Sequence, residues 1–125
     1  MRVVADQRGC PTGTADIAEA ILSIAPLLER RAPVWGTSHF AGQGATTWHG
    51  FASEIVEAQA EITNRRPAII PIPTAEYLTA ARRPANSQLD CSRFAGVFGI
   101  KAMAWRERTR QVTTALLGHG TGERV

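Results

Sequence analysis

Apolar residues recur at helical spacing in two long stretches of this chain, and no other feature constrains the fold as strongly. The first stretch has four apolar residues separated by four, three and four positions: Ile17, Ile21, Ile24 and Leu28. This spacing predicts a helix with one core-facing stripe, capped by Thr14 or Asp16. Pro26 lies within the stripe and lacks an amide to bond back to Leu22, so the helix is expected to end or kink there.

The second stretch predicts a helix capped by Thr46 or Thr47 and stopped by Arg65-Arg66-Pro67. The predicted inner face of this helix holds six residues: Trp48, Phe51, Ala52, Ile55, Ala58 and Ile62. A tryptophan at the start of such a face is usually a core residue. The indole N–H of Trp48 could instead face a ligand at a subdomain interface.

Two further helices are predicted toward the carboxyl end. Asp90 is a suitable N-cap for the first, and Gly99 is a suitable residue to end it. The second is expected over residues 104–117, with three residues facing inward: Trp105, Val112 and Leu116.

The expected strands are short. Residues 3–5 and 34–40 predict strands, and residues 68–73 predict an edge strand because their two prolines cannot donate to a ladder. A short helical turn is expected over residues 74–81. Three to four helices with a few short strands indicate an α/β (mixed α+β) fold, with too few strands for a complete doubly wound sheet.

A length of 125 residues fits one domain, expected over residues 1–117, with a flexible tail over 118–125. Hydrophobic and charged contents of 44% and 20% are ordinary for a soluble protein. The sequence shows neither a membrane-spanning apolar run nor a signal peptide, so a cytoplasmic protein without a membrane partner is expected. Cys10 and Cys91 could pair, but this pattern favours free thiols, and no metal site is predicted.

The segment Gly42-Gln43-Gly44-Ala45-Thr46-Thr47 precedes a predicted helix, where a glycine-rich loop can bind a pyrophosphate. The third glycine of that fingerprint is replaced by Thr47, and no acidic residue ends a second strand. A plain turn into the helix is therefore favoured over dinucleotide binding. The acid–base pair Tyr-x-x-x-Lys cannot be made either, because Tyr77 and Lys101 are the only tyrosine and lysine.

Arg82-Arg83-Pro84 is the strongest chemical candidate. Two guanidinium groups on a loop can donate to the oxygens of a diphosphate, and the nearby Asn86 and Ser87 suit sugar or base edges. A solvated loop is the alternative. The other arginine groups, including Arg106/Arg108/Arg110, are interpreted as solvated helix ends or faces. Nucleic-acid binding is not expected, since the basic residues are not interleaved with aromatic residues.

Several segments together resemble the dTDP-4-dehydrorhamnose reductases of the extended short-chain dehydrogenase/reductase superfamily. Residues 3–12 resemble the family's Asp-Gln-x-Gly-x-Pro-Thr segment, residues 39–48 its strand–glycine–Thr–Trp passage, and residues 81–90, with Arg-Arg-Pro-x-Asn-Ser, its most recognisable motif. Residues 16–21, 98–100 and 105–107 resemble its helices.

The resemblance implies the small substrate-binding subdomain of an enzyme that reduces dTDP-4-dehydro-L-rhamnose to dTDP-L-rhamnose for surface polysaccharide. Substrate binding is then expected at Arg82 or Arg83, with Asn86 and Ser87 nearby, and less directly at Gln7 and Thr12.

Family members also carry a Rossmann domain with the glycine fingerprint and the Tyr-x-x-x-Lys pair. This chain starts directly with a strand and has neither motif, so the Rossmann half is expected to be missing. NADPH or NADH would be bound by that half, no cofactor is expected for this chain alone, and the chain alone is expected to be inactive. A homodimer is one arrangement of the full-length enzyme. A non-catalytic regulatory or binding subunit on the same scaffold is the alternative.

Overall fold

The structure is a computed structural model that describes residues 1–30 and 35–118. Its helices and strands follow in this order: β1 (Arg2–Val4), β2 (Arg8–Gly9), α1 (Thr14–Arg30), β3 (Thr46–Thr47), α2 (Trp48–Thr63), β4 (Ile70–Ile72), a 3-10 turn (Thr74–Glu76), α3 (Ser92–Phe98) and α4 (Trp105–Gly118). Four α-helices and short strands in the described part confirm the predicted mixed α/β class.

The packing of α2 against α4 forms the centre of the molecule. Thr47 caps α2 as predicted, since its hydroxyl accepts a bond of 3.0 Å from the amide of Gly50. The helix ends at Asn64, which adopts a left-handed φ of 56°. Between the helices, the rings of Phe51 and Trp105 meet edge to face with centroids 6.3 Å apart, and Trp105 is buried as predicted.

Helix α1 differs from its prediction in two ways. It does not end at Pro26 but continues to Arg30, because a proline removes only one helical hydrogen bond and the others remain. Ile17 and Ile21 are 41% and 57% exposed, so the core-facing stripe is wrong for these residues. The buried residues of α1 are Asp16 and Ala20.

Arg108 on α4 explains this orientation of α1. Its guanidinium donates bonds of 2.9 and 2.7 Å to the two carboxylate oxygens of Asp16. Arg106 and Arg110, on the same helix, form ion pairs of 2.9 and 2.6 Å with Glu54 of α2. The interpretation as a solvated face is confirmed for Arg106 and Arg110, whose side chains are 66% and 49% exposed, and is wrong for Arg108, which is 17% exposed. All three also tie α4 to a neighbouring helix.

The strands form two small sheets. In one, β1 runs parallel to β4 with Arg2 opposite Ile70 and Val4 opposite Ile72, which confirms strands in both predicted segments. In the other, β2 pairs antiparallel with β3.

Residues 35–40 are not a strand, which corrects the prediction for residues 34–40; Val34 lies outside the described residues. Side chains hold this segment instead. Arg93 donates to the carbonyl of Trp35 at 3.1 Å and to the hydroxyl of Ser38 at 3.3 Å. The ring of Phe40 lies 5.0 Å from that of Phe94.

Helix α3 begins at Ser92 and its N-cap is Cys91, so the prediction that Asp90 is the N-cap is wrong. The Asp90 carboxylate still accepts a bond of 2.8 Å from the amide of Ser92, and the bonds from Ser92 hold the pKa of Asp90 below its usual value. Gly99 ends the helix as predicted, with a left-handed φ of 69°.

Helix α4 matches its predicted position, but only part of its predicted inner face. Val112 and Leu116 are 46% and 73% exposed, and the buried positions beside Trp105 are Thr109 and Thr113. Residues 119–125 of the predicted tail lie outside the described residues. In the described part of the chain, none of the helices combines the length and the apolar character needed to cross a bilayer.

Candidate functional site

An open groove of about 1000 Å³ lies where β2, β3 and the first turn of α2 meet the loop of residues 82–87. Four of the six predicted binding residues line it: Gln7, Thr12, Arg83 and Ser87. Arg82 and Asn86 belong to the same loop but do not line the groove. The structure therefore brings the Gln7–Thr12 segment and the arginine loop together, although about 75 residues separate them in the sequence.

The backbone of Arg8 joins these two segments. Its amide donates to the carbonyl of Ala85 at 2.8 Å, and its carbonyl accepts from the amide of Ser87 at 2.9 Å. On its other side Arg8 pairs with Thr47 in the antiparallel ladder. The arginine loop, β2 and β3 thus form one continuous wall of the groove.

The hydroxyl groups of Thr12 and Ser87, two residues predicted to bind the ligand, already form hydrogen bonds within the protein. The Thr12 hydroxyl donates to the carbonyl of Cys10 at 3.0 Å and accepts from the amide of Gly42 at 3.0 Å. The Ser87 hydroxyl donates to the carbonyl of Arg8 at 3.1 Å. These bonds give both residues a role in shaping the groove.

The two amide side chains also take part in internal hydrogen bonds. Asn86 accepts a bond of 3.0 Å from the amide of Gln88, which folds the end of the loop. Gln7 donates to the hydroxyl of Thr74 at 3.1 Å, and Thr74 in turn donates from its hydroxyl and its amide to Asp6. These donations hold the pKa of the Asp6 carboxyl below its usual value.

The charged groups that line the groove are arginines. Arg2 forms an ion pair with Glu76. Within the described residues, Arg8 and Arg83 line the groove without a carboxylate partner. The groove therefore offers two uncompensated positive charges to a ligand.

Two aromatic side chains line the same groove. Trp48 is 60% exposed and lines the groove, so its interpretation as a core residue is wrong. Tyr77, 56% exposed, was not predicted as a site residue, because a single tyrosine after a turn shows no pattern in the sequence.

The glycine-rich segment serves the packing of the protein. A Cβ atom at Gly42 would overlap the carbonyl oxygen of Pro11, and Gly44 has a φ of 85° with the Trp105 ring 3.1 Å from where its Cβ would stand. The amides of Gly42 and Gln43 donate to the Thr12 hydroxyl and to a backbone carbonyl. With these amides engaged, the segment does not fit the pyrophosphate of a dinucleotide cofactor.

Among residues 1–30 and 35–118, no three His, Cys, Asp or Glu side chains cluster in a way that could hold a metal ion. Cys10 and Cys91 are both free thiols, as predicted.

The chain is similar in sequence to several known enzymes. The chain is 43% identical to a dTDP-4-dehydrorhamnose reductase of Sinorhizobium fredii over 96% of its length, and 39% identical to one of Burkholderia thailandensis over 85%. It covers 41% and 38% of those two proteins, so it spans about two fifths of the length of the curated relatives it matches.

Solved structures of the same enzyme have the same fold. The crystal structure of a dTDP-4-dehydrorhamnose reductase from Clostridium acetobutylicum superposes with a TM-score of 0.81 at 28% identity, over 94% of this chain and 39% of that one. The Bacillus anthracis enzyme, solved in complex with NADP, gives a TM-score of 0.68 at 28% identity, over 89% of this chain and 36% of that one.

The family model described as the RmlD substrate binding domain matches residues 1–117. This match covers nearly the whole chain and agrees with the relatives and the solved structures. The chain therefore belongs to the RmlD substrate-binding domain family.

Proposed function

We propose that this chain is the sugar-nucleotide-binding part of a dTDP-4-dehydrorhamnose reductase, which reduces dTDP-4-dehydro-L-rhamnose to dTDP-L-rhamnose. The observation that carries the proposal is the groove, which is lined by the unpaired guanidinium of Arg83 and by the exposed aromatic rings of Trp48 and Tyr77. A nucleoside diphosphate presents the matching pair of features, an anion and a flat base.

The chemistry of each group supports this assignment. A guanidinium donates two parallel N–H bonds to phosphate oxygens, which gives both energy and orientation. Stacking of a base on an aromatic ring contributes about 1–3 kcal/mol in other nucleotide-binding sites. Arg83 is thus the proposed diphosphate ligand, with Trp48 and Tyr77 as the surfaces for the base or the sugar.

Under this proposal the chain binds and orients the substrate but does not reduce it. A Tyr-x-x-x-Lys pair transfers the proton in such reductases, and this chain does not have one. Its only tyrosine, Tyr77, is followed four residues later by Ala81 and not by a lysine. Hydride would come from NADPH or NADH held by a Rossmann domain, the proposed partner of this chain. The chain alone would be inactive.

Titration of the 125-residue chain with dTDP, followed by amide NMR shifts, tests the proposal. We expect the shifts to concentrate at Gln7, Trp48 and residues 83–87, and the Arg83→Gln variant to bind more weakly. Arg65→Gln is a matched control because Arg65 is exposed and does not line the groove. Absence of binding, or shifts that map away from the groove, would overturn the proposal.

A further inference from the structure

Arg8 has a central position in the groove wall. Its backbone pairs with the arginine loop on one side and with Thr47 on the other, which fixes its Cα between the two segments. Trp48 directly follows Thr47, and Arg83 precedes the paired part of the loop by two residues. Arg8 therefore lies between the strand that leads to Trp48 and the loop that carries Arg83.

Strand β2 presents only one side chain. Gly9 has no room for another, because a Cβ atom there would stand 2.9 Å from the hydroxyl oxygen of Ser87. The Arg8 side chain is exposed and lines the groove. A long cationic side chain on a rigid strand at the groove surface can reach a bound anion with little backbone movement.

The charge of Arg8 is not compensated within the described residues. Five other arginines form ion pairs with carboxylates: Arg2, Arg66, Arg106, Arg108 and Arg110. Arg8 and Arg83 have no such partner, and both line the groove. Two unpaired cations that line one groove repel each other, and an anion bound between them would remove that repulsion.

We propose that Arg8 is a second anion-binding residue of the groove and clamps the diphosphate of a nucleoside diphosphate together with Arg83. This inference rests on the proposed function, and adds Arg8, the residue after Gln7 in the Asp-Gln-x-Gly-x-Pro-Thr segment, as a ligand. A diphosphate has two phosphoryl groups, and two guanidinium groups can each take one in a bidentate contact.

Isothermal titration calorimetry of the 125-residue chain with dTDP, dTMP and thymidine tests the proposed clamp of Arg8 and Arg83. In the Arg8→Gln variant we expect dTDP binding to weaken about tenfold, because one charge-assisted hydrogen-bonding group is lost. The loss should be smaller for dTMP and absent for thymidine, which has no phosphate. Arg8→Lys, which keeps the charge but not the bidentate geometry, should fall between the wild type and Arg8→Gln.

Arg65→Gln provides the control for net charge, and far-UV circular dichroism checks the fold of each variant. If Arg83→Gln weakens dTDP binding while Arg8→Gln binds like Arg65→Gln, the clamp is wrong and the proposed function stands. If Arg8→Gln weakens thymidine binding as much as dTDP binding, Arg8 acts on the shape of the groove and the clamp is also wrong. If wild-type protein fails to bind dTDP, the proposed function itself fails.

Discussion

Thr12 shows at the scale of one residue how the groove is built. Its hydroxyl connects the carbonyl of Cys10 to the amide of Gly42, so two loops that are 30 residues apart meet at one oxygen atom. The resemblance predicts Thr12 near the substrate, and in the structure Thr12 lines the groove. The sequence cannot show that this hydroxyl is already engaged, because its partners come from a distant loop.

Gly42 is expected to tolerate no side chain. A Cβ atom there overlaps the carbonyl oxygen of Pro11, so Gly42→Ala should lower the free energy of unfolding by about 1–3 kcal/mol through overpacking. Gly96→Ala is the matched control: it lies inside α3 with nothing within 4 Å of its Cβ position. That variant should gain roughly 0.5–1 kcal/mol from helix propensity. Urea unfolding of both variants measures the difference, and equal effects would contradict the expectation.

Trp48 is expected to report directly on the ligand. It is 60% exposed in the groove, whereas Trp105 is 7% exposed in the core. Trp35 is also exposed, so the Trp35→Phe variant leaves Trp48 as the accessible indole. In that variant, saturating dTDP should reduce the quenching of tryptophan fluorescence by acrylamide. In Trp48→Phe the ligand should leave quenching unchanged; protection there would place the ligand elsewhere.

At the scale of secondary structure, ion pairs decide which face of a helix is buried. Arg106 and Arg110 are one turn apart and reach Glu54 on α2, while Arg108 points to Asp16 on α1. Apolar spacing predicted the existence of α1, α2 and α4 and the approximate limits of α2 and α4, but not the continuation of α1 past Pro26. It predicted only part of their buried faces, such as Ala58 and Trp105, because the partners of these charges lie 52 to 92 residues away in the sequence.

Asp16→Asn is expected to loosen α1 from α4. Removing one charge of a buried pair leaves the other uncompensated, which should lower the free energy of unfolding by roughly 3 kcal/mol at neutral pH. The bonds from Arg108 hold the pKa of Asp16 below its usual value. This stabilisation is therefore present above about pH 4, the pKa of the unfolded chain, and is lost as the pH falls through the folded-state pKa.

Urea unfolding of wild type and Asp16→Asn at a series of pH values measures this effect. The difference between the two proteins should shrink as the pH falls below about 4. Glu57→Gln is the control, because its ion pair with Arg66 is half exposed and should contribute less than about 1 kcal/mol. A difference that stays constant down to pH 2 would show that the Asp16 charge is not its source.

At the scale of the whole molecule, several large apolar side chains remain on the surface. On α1 alone, Ile21 is 57% exposed and Leu22 is 74% exposed, although the sequence placed Ile21 in a core stripe. An amphipathic pattern indicates only that the apolar face of a helix is suited to burial. Within the described residues nothing covers this face, and the pattern cannot reveal what would cover it.

These exposed residues should make the native chain bind a hydrophobic dye. Contiguous apolar surface attracts anilinonaphthalene sulfonate, so dye fluorescence should rise with folded protein at neutral pH. Replacing both Ile21 and Leu22 by lysine should lower this signal. Replacing the exposed Ala15 and Ala18 of the same helix by lysine changes the charge equally but removes little apolar surface, so it should leave the signal nearly unchanged. Equal signals from the two double variants would show that Ile21 and Leu22 do not form the dye-binding surface.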